Sequence, residues 1–209
     1  MFHNTCYNIQ LIHLNIKTIF LLAFLFFSLS SCVGSSVTSF AGNAAISAKG
    51  VEETLNDTII FTKIKAKLLS LKIKNLTDIS VHVSQGRVLL IGITKNSEDR
   101  FKIVKNIWEI NGVNEIYNEI IINDEYSLKE RSKDLLITTK VNTYFLFKSN
   151  IFSNNYSVEV FKGDLYIIGI AGSLEEKSTI ENYLLNIKDV NKVINFIFLT
   201  KGVKYMGNE

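Results

Sequence analysis

The side chains that could bind a metal or act as acid–base catalysts are few. Two of the three histidines lie within the first 13 residues. The third, His82, lies between Val81 and Val83, and strand alternation directs it to the face opposite these valines. No cysteine, second histidine or acidic cluster accompanies it, so a solvent-facing strand residue is favoured over a ligand or base. We therefore expect no enzymatic activity, metal or cofactor.

A glycine-containing segment, Gly169 to Gly172, lies between a predicted strand and a predicted helix, where phosphate-binding loops occur. It lacks the G-x-G-x-x-G spacing and the parallel βαβ context of such loops. A hairpin end that leads into a helix cap is the favoured interpretation. The G-x-S-x-G motif of serine hydrolases is also absent from the sequence.

Cys32 has the clearest chemistry. The residues before it include no aspartate or glutamate and one lysine, Lys17. They contain a run of 12 nearly all apolar residues from Thr18 to Leu29. A spanning helix needs about 20 such residues, so the run has the length of a signal-peptide core. Leu29-Ser30-Ser31-Cys32 resembles the bacterial lipobox, whose cysteine is acylated, with palmitate among the chains, and becomes the new N-terminus. The alternative is a plain signal peptide with an incidental cysteine.

Processing at this site would leave no free thiol, because Cys6 lies in the removed segment. The residues that follow are small, polar and aperiodic, which is typical of a flexible tether. Val33 occupies the position where an aspartate would resemble an inner-membrane retention signal. We therefore expect a lipid-anchored protein at the periplasmic face of the outer membrane.

A 14-residue segment occurs twice. SVHVSQGRVLLIGI spans Ser80 to Ile93, and SVEVFKGDLYIIGI spans Ser157 to Ile170, which is 77 positions later. Alternating apolar residues around Gly86 and Gly163 predict a β-hairpin in each copy, with the glycine at positive φ in the turn. The same offset extends well beyond the hairpins and predicts two copies of one domain.

Each copy is predicted to have the order αββαβ. Asp57 is the predicted cap of the first helix of copy one, and the first helix of copy two is predicted to begin near Asp134. The second helix of copy one is predicted to bury its apolar residues Phe101, Val104, Ile107 and Trp108. The fold class is α+β, with two tandem domains that each contain a three-stranded mixed sheet and two helices on one face. The predicted segments are a signal peptide (1–31), a lipidated tether (32–56), domain one (57–122), a linker (123–133), domain two (134–200) and a tail (201–209).

Two pairs of sequence signatures resemble those of the BON domain (bacterial OsmY and nodulation). They are G-R-V-L-L-I-G with G-V-N-E-I-Y-N-E-I, and G-D-L-Y-I-I-G with D-V-N-K-V-I-N-F-I. The resemblance covers residues 57–200, and two such domains behind a lipobox resemble outer-membrane lipoproteins of this family. It implies a non-enzymatic protein that supports envelope integrity and binds anionic phospholipid through the first helix of its second domain.

That helix carries two apolar stripes. Ile137 and Val141 match the core positions of copy one, whereas Leu136 begins a second stripe at i, i+4, i+7 and i+11. The residues predicted to contact the membrane are Leu135, Leu136, Thr139, Lys140, Thr143, Leu146 and Phe147. Apolar residues beside a lysine are typical of a helix at a bilayer surface. The alternative is that this stripe packs against domain one.

Charge differs between the two copies. Residues 57–122 contain ten Lys and Arg against seven Asp and Glu, whereas residues 134–200 contain six against seven. A basic first domain would be attracted to anionic lipid, the wall polymer or acidic proteins, and the alternative is an ordinary solvated surface. We expect an anionic phospholipid membrane as the partner and no nucleic acid. The alternative function is a protein-interaction module that docks an envelope or cell-wall-associated partner.

Overall fold

The computed structural model describes residues 50–71, 73, 79–122 and 125–200. The predicted signal peptide, the lipidation site Cys32, most of the tether and the tail lie outside these residues. Among the helices that are described, none combines the length and apolar character needed to cross a membrane.

The chain forms the two αββαβ units that its repeat predicts. The first unit consists of α1 (Gly50–Ser70), β1 (Ile79–Ser84), β2 (Arg87–Thr94), α2 (Ser97–Trp108) and β3 (Glu115–Ile122). The second consists of α3 (Leu128–Phe147), a 3₁₀ turn (Ser153–Asn155), β4 (Tyr156–Phe161), β5 (Asp164–Ala171), α4 (Leu174–Leu185) and β6 (Lys192–Leu199). The predicted α+β fold with two tandem domains is confirmed.

Each unit contains one three-stranded mixed sheet. The strand order is β1-β2-β3 in the first and β4-β5-β6 in the second. β1 and β2 are antiparallel because a two-residue turn joins them, and β2 and β3 are parallel because α2 carries the chain back across the sheet. The second sheet repeats this pairing.

The helices of each unit cover one face of its own sheet. In the first unit, Ile64 of α1 and Ile103 of α2 pack against Val88 and Leu90 of β2, and all four side chains are fully buried. The second unit has the equivalent core, built around Val141 of α3. Each such side chain stabilises the folded unit by about 1.5–3 kcal/mol when it is buried. Each unit therefore has a hydrophobic core of its own between its helices and its sheet.

The remaining faces of the two sheets pack against each other. Leu89 and Ile91 of β2 contact Tyr166 and Ile168 of β5. Strand residues alternate between faces, so β2 directs neighbouring residues to two different cores. The molecule therefore has four layers, helices, sheet, sheet, helices, and the helices of the two domains lie on opposite outer faces.

The two domains meet through equivalent positions. Glu159 lies 77 positions after His82, and its Oε2 is 2.7 Å from Nε2 of His82. The Ser80 hydroxyl donates to Oε1 of the same carboxylate at 2.8 Å. Contact between equivalent residues is expected beside a two-fold axis. His82, predicted to face solvent, is instead partly buried at this pseudo-two-fold interface, because the outer face of its sheet is covered by the second sheet.

The first helix of each domain begins earlier than predicted. α1 begins at Gly50 and α3 begins at Leu128, so residues 50–56 of the predicted tether and 128–133 of the predicted linker are helical. Ser127 caps α3 through a reciprocal capping box with Glu130. Asp57, the predicted cap, and Asp134, the predicted start of the equivalent helix, are buried within the helices and have another role, described below.

The predicted apolar face of α2 is only partly correct. Ile107 is buried together with Ile103, whereas Phe101 is 66% exposed and Trp108 is 52% exposed. Ile103 and Ile107 are four residues apart and face the sheet. Trp108 follows Ile107 by one residue, which rotates its side chain about 100° away from the core.

Candidate membrane-binding helix

α3 presents one line of side chains to the core of domain two and another to solvent. Ile137, Val141 and Phe145 recur every four residues and are buried. They attach the helix to its sheet. Thr138 and Tyr144 flank this line and contact Val160 of β4 and Tyr183 of α4, so the opposite side of the helix is the one that faces away from the domain.

The stripe predicted to contact the membrane lies on this outward side. Leu136 is 72% exposed and Phe147 is 81% exposed with both domains in place. The other predicted residues, Leu135, Thr139, Lys140, Thr143 and Leu146, are exposed as well. Domain one does not cover the stripe, so the alternative in which the stripe packs against domain one is wrong. The two domains use their sheets for that contact.

The early start of α3 adds two lysines to the stripe. Lys129 and Lys133 are exposed and precede Leu136 at a spacing that places all three on one side of the helix, in line with Lys140 and Phe147. No ion pair within the described part of the chain engages these three lysines. Sequence reasoning missed Lys129 and Lys133, although Ser127-Leu-Lys-Glu130 has the S-x-x-E form of a capping box.

A row of apolar side chains lies beside these lysines. Leu128, Leu135 and Leu146 follow one another at spacings of seven and eleven residues, and all three are exposed. We call the two rows together the α3 stripe. Its members are Leu128, Lys129, Lys133, Leu135, Leu136, Thr139, Lys140, Thr143, Leu146 and Phe147.

Buried aspartates connect the first helix of each domain to its hairpin. The Asp57 carboxylate accepts the backbone N–H groups of Gln85 and Gly86, each at 2.9 Å. The Asp134 carboxylate accepts the N–H of Gly163 at 3.2 Å. Hydrogen bonds to an ionised carboxylate are among the stronger ones in proteins. Each aspartate therefore fixes its helix against a turn.

Asparagines hold the same turns from the other side. The backbone N–H of Asn114 donates to the carbonyl of Gly86 at 2.8 Å, and that of Asn191 donates to the carbonyl of Gly163 at 2.7 Å. The side-chain amide of Asn114 also donates to the carbonyl of Gln85. These contacts use the V-N pair that follows the second helix in both repeats. The recurring motif is thus a turn held by one aspartate and one asparagine.

The sequence model of the BON domain matches residues 56–124 and 133–200. The chain belongs to the BON domain family. Its curated relatives include a protein of Anaplasma centrale described as "Uncharacterized protein in gshII 5'region", to which it is 33% identical over 69% of this chain and 95% of that one. It is also 24% identical to outer membrane lipoprotein DolP of Haemophilus influenzae, over 81% of this chain and 90% of that one. A 21 kDa hemolysin of Actinobacillus pleuropneumoniae is 29% identical over 60% of this chain and 64% of its own length.

Tyr126 fixes the start of α3 in the second BON domain. Its hydroxyl donates to Asp134 at 2.7 Å, and its ring packs edge-on against Phe161. The Arg131 guanidinium lies over the same ring, 4.4 Å from its centroid. Burial, and then the Asp134 carboxylate, raise the pKa of the Tyr126 hydroxyl well above its usual range. A neutral tyrosine therefore anchors the part of the helix that carries Lys129 and Lys133.

Across the described parts of both BON domains, no group of three or more His, Cys, Asp and Glu side chains is arranged to hold a metal ion. The buried aspartates of the two domains bind hairpin turns. In the second domain, the α3 stripe is an exposed surface that combines apolar side chains with lysines.

Proposed function

We propose that this protein is a non-enzymatic lipoprotein of the bacterial outer membrane that faces the periplasm, binds anionic phospholipid through α3 and supports envelope integrity. The observation that carries the proposal is the α3 stripe, in which exposed leucines and Phe147 lie beside three exposed lysines on a helix held by its own core. Similarity to a relative named outer membrane lipoprotein DolP, and a lipobox-like Cys32, support the location.

The two kinds of side chain in the stripe would act together at a bilayer. Leucine and phenylalanine side chains transfer apolar area into the acyl boundary, at about 25 cal/mol per Å². Lys129, Lys133 and Lys140 each contribute about 1 kcal/mol of attraction beside an anionic surface, and salt screens this attraction. In this mechanism, acyl chains on Cys32 supply location and α3 supplies recognition of anionic lipid.

The test is vesicle pelleting of the chain from Val33 onward, which retains both BON domains, with and without anionic lipid. The wild type should pellet with anionic vesicles. The double variant Leu136→Asp with Phe147→Asp should lose this binding while its circular dichroism and cooperative melting are retained, because both side chains are exposed.

The matched control is Phe101→Asp with Leu185→Asp, which removes one phenylalanine and one leucine that are also exposed but lie on the second helices of the two domains. It should bind vesicles like the wild type. A folded Leu136→Asp, Phe147→Asp variant that binds undiminished would refute lipid recognition by α3. A protein-docking module is the alternative function, and the exposed aromatic residues of α2 are the observation that favours it.

A further inference from the structure

α2 of domain one carries an aromatic line whose two rings are exposed and whose valine is partly buried against the core. Phe101, Val104 and Trp108 occur at i, i+3 and i+7, so they share one side of the helix. A groove of about 440 Å³ runs between this side and β3. Its lining residues are Ser97, Arg100, Phe101, Val104, Asn118 and Ile122.

Two cations border the aromatic line. Arg100 precedes Phe101 by one residue and lines the groove, whereas Lys105 follows Phe101 by four residues and lies on the other side of the line, outside the lining. Within the described residues neither forms an ion pair, in contrast to Lys102, whose Nζ is 2.6 Å from Oε1 of Glu98. The groove therefore combines apolar walls with the positive charge of Arg100, which no ion pair among the described residues neutralises.

The equivalent channel in domain two is closed. The positions that match Phe101 and Val104 are Ser178 and Glu181. The Glu181 carboxylate accepts from Nδ2 of Asn195 on β6 at 2.8 Å and so bridges α4 to the strand. The apolar walls that Phe101 and Val104 form are thus replaced by polar side chains at the equivalent positions of domain two.

The location of α2 indicates whether a lipid or a protein occupies the groove. This argument rests on the proposed function, in which the α3 stripe contacts the bilayer. α2 and α3 lie in the two outer layers of the four-layer molecule. Packed sheets are about 10 Å apart and helices pack about 10 Å from a sheet, so these layers are about 30 Å apart. A planar bilayer that contacts the α3 stripe cannot also cover α2.

We propose that the groove between α2 and β3 binds an amphipathic helix of a partner protein, whose apolar side chains contact Phe101, Val104 and Trp108 and whose carboxylates lie beside Arg100 and Lys105. A helix is favoured over an added strand because Oδ1 of Asn118 already accepts the backbone N–H of Ile120 on β3. Recognition then depends on side chains in a groove, as in other helix-in-groove complexes.

Trp108 is a native reporter for this site, because it is the single tryptophan of the chain and is half exposed. The chain from Val33 onward is titrated with a synthetic amphipathic helical peptide in which glutamates flank a leucine stripe. We expect a saturable blue shift of Trp108 emission. The same peptide with lysines in place of the glutamates should give no shift, and equal responses to both peptides would overturn the charge-based assignment.

The variant Phe101→Ser with Val104→Glu gives α2 the residues of domain two and should weaken acidic-peptide binding at least about tenfold. Arg100→Glu with Lys105→Glu should do the same. The control Leu185→Ser removes a similarly exposed side chain from α4 and should bind like the wild type. Unchanged binding by Phe101→Ser with Val104→Glu would overturn the proposal. So would sedimentation showing that the free chain self-associates through this groove.

An experiment with anionic vesicles tests this inference separately from the proposed function. When the chain pellets with anionic vesicles, Trp108 emission should stay unchanged. A blue shift on vesicles would place lipid at α2 and overturn the inference. Peptide binding without vesicle binding would support the groove and refute the α3 proposal alone.

Discussion

At Gly86 the hairpin requires both a positive φ and the absence of a Cβ. Its φ is 72°, that of Gln85 before it is 52°, and the second hairpin has the same form at Lys162 and Gly163. Two successive positive φ values are typical of the type I′ turn, whose twist matches that of the flanking strands. A Cβ on Gly86 would lie 2.4 Å from the carbonyl oxygen of Gly112.

We expect Gly86→Ala to destabilise the protein more than Gly163→Ala. Both variants strain the backbone, which costs about 1 kcal/mol. At Gly86 the new methyl group also meets a backbone oxygen, whereas at Gly163 its nearest neighbour is the side-chain amide of Asn191 at 2.6 Å, which can rotate. Urea denaturation followed by circular dichroism measures the difference.

Gly50 provides the control for the backbone contribution. Its φ is 77°, but a Cβ there would meet nothing within 4 Å. Gly50→Ala should therefore report backbone strain alone and cost least of the three variants. Equal losses at all three glycines would contradict the argument from the close contact at Gly86.

Among the elements, α1 and α3 are equivalent by the repeat but differ in their outward faces. α3 carries Lys129 and Lys133 in the same line as its apolar residues. α1 carries Lys63 and Lys67, and Nζ of Lys67 lies 3.8 Å from Glu109. Only α3 combines its lysines with the stripe proposed to enter the bilayer.

We expect Lys129→Glu with Lys133→Glu to weaken binding to anionic vesicles about thirtyfold or more, since about 1 kcal/mol is lost for each lysine. The same charge change in domain one, Lys63→Glu with Lys67→Glu, should weaken binding less, because α1 lies in the opposite outer layer. Vesicle titrations at low and high salt measure both effects. Equal losses in the two variants would indicate long-range attraction by net charge without recognition by α3.

The elements differ in how far the sequence could predict them. The repeat and the alternation around Gly86 and Gly163 were sufficient for the αββαβ order, because hairpins and helix caps are local. The helix starts were predicted too late because Asp57 and Asp134 are typical cap residues, whereas the structure uses them to bind turns. Phe101 was assigned to the core because periodicity alone does not decide which of two apolar sides faces the sheet.

The interface between the sheets was also missed, although β2 contained a signal for it. The run Val88 to Ile91 is continuously apolar, which is typical of a strand buried on both faces. The sequence of β2 alone does not identify the sheet that packs on its second face. The contact between the two sheets joins residues that are 77 positions apart in the chain.

At the scale of the whole molecule, the interface contains tyrosines that resist ionisation. Burial, followed by the nearby Glu115 carboxylate, raises the pKa of Tyr117 to about 12. Burial and the carboxylates around it, Glu119 first, raise the pKa of Tyr166 further. Unfolded tyrosine titrates near pH 10.

We therefore expect alkaline pH to destabilise the protein. Above about pH 10 the unfolded chain loses tyrosine protons that the folded chain retains, so the free energy of unfolding falls as pH rises from about 10 towards 12 and beyond. Below pH 10 this contribution is fully present. In the folded protein, the midpoint of the phenolate absorbance titration should lie above pH 10 for these tyrosines, and in urea it should fall to about pH 10. A midpoint of 10 for every tyrosine of the folded protein would contradict the prediction.

The residues on the pseudo-two-fold axis favour association of unlike domains. Two first domains arranged about this axis would place His82 against His82, and two second domains would place the like charges of Glu159 together, which repel. Only the pair of one first domain with one second domain brings the His82 imidazole within hydrogen-bonding distance of the Glu159 carboxylate, at 2.7 Å. The protein thus resembles a heterodimer joined by a short linker, in which the His82–Glu159 pair favours contact between the two unlike domains over contact between two copies of one.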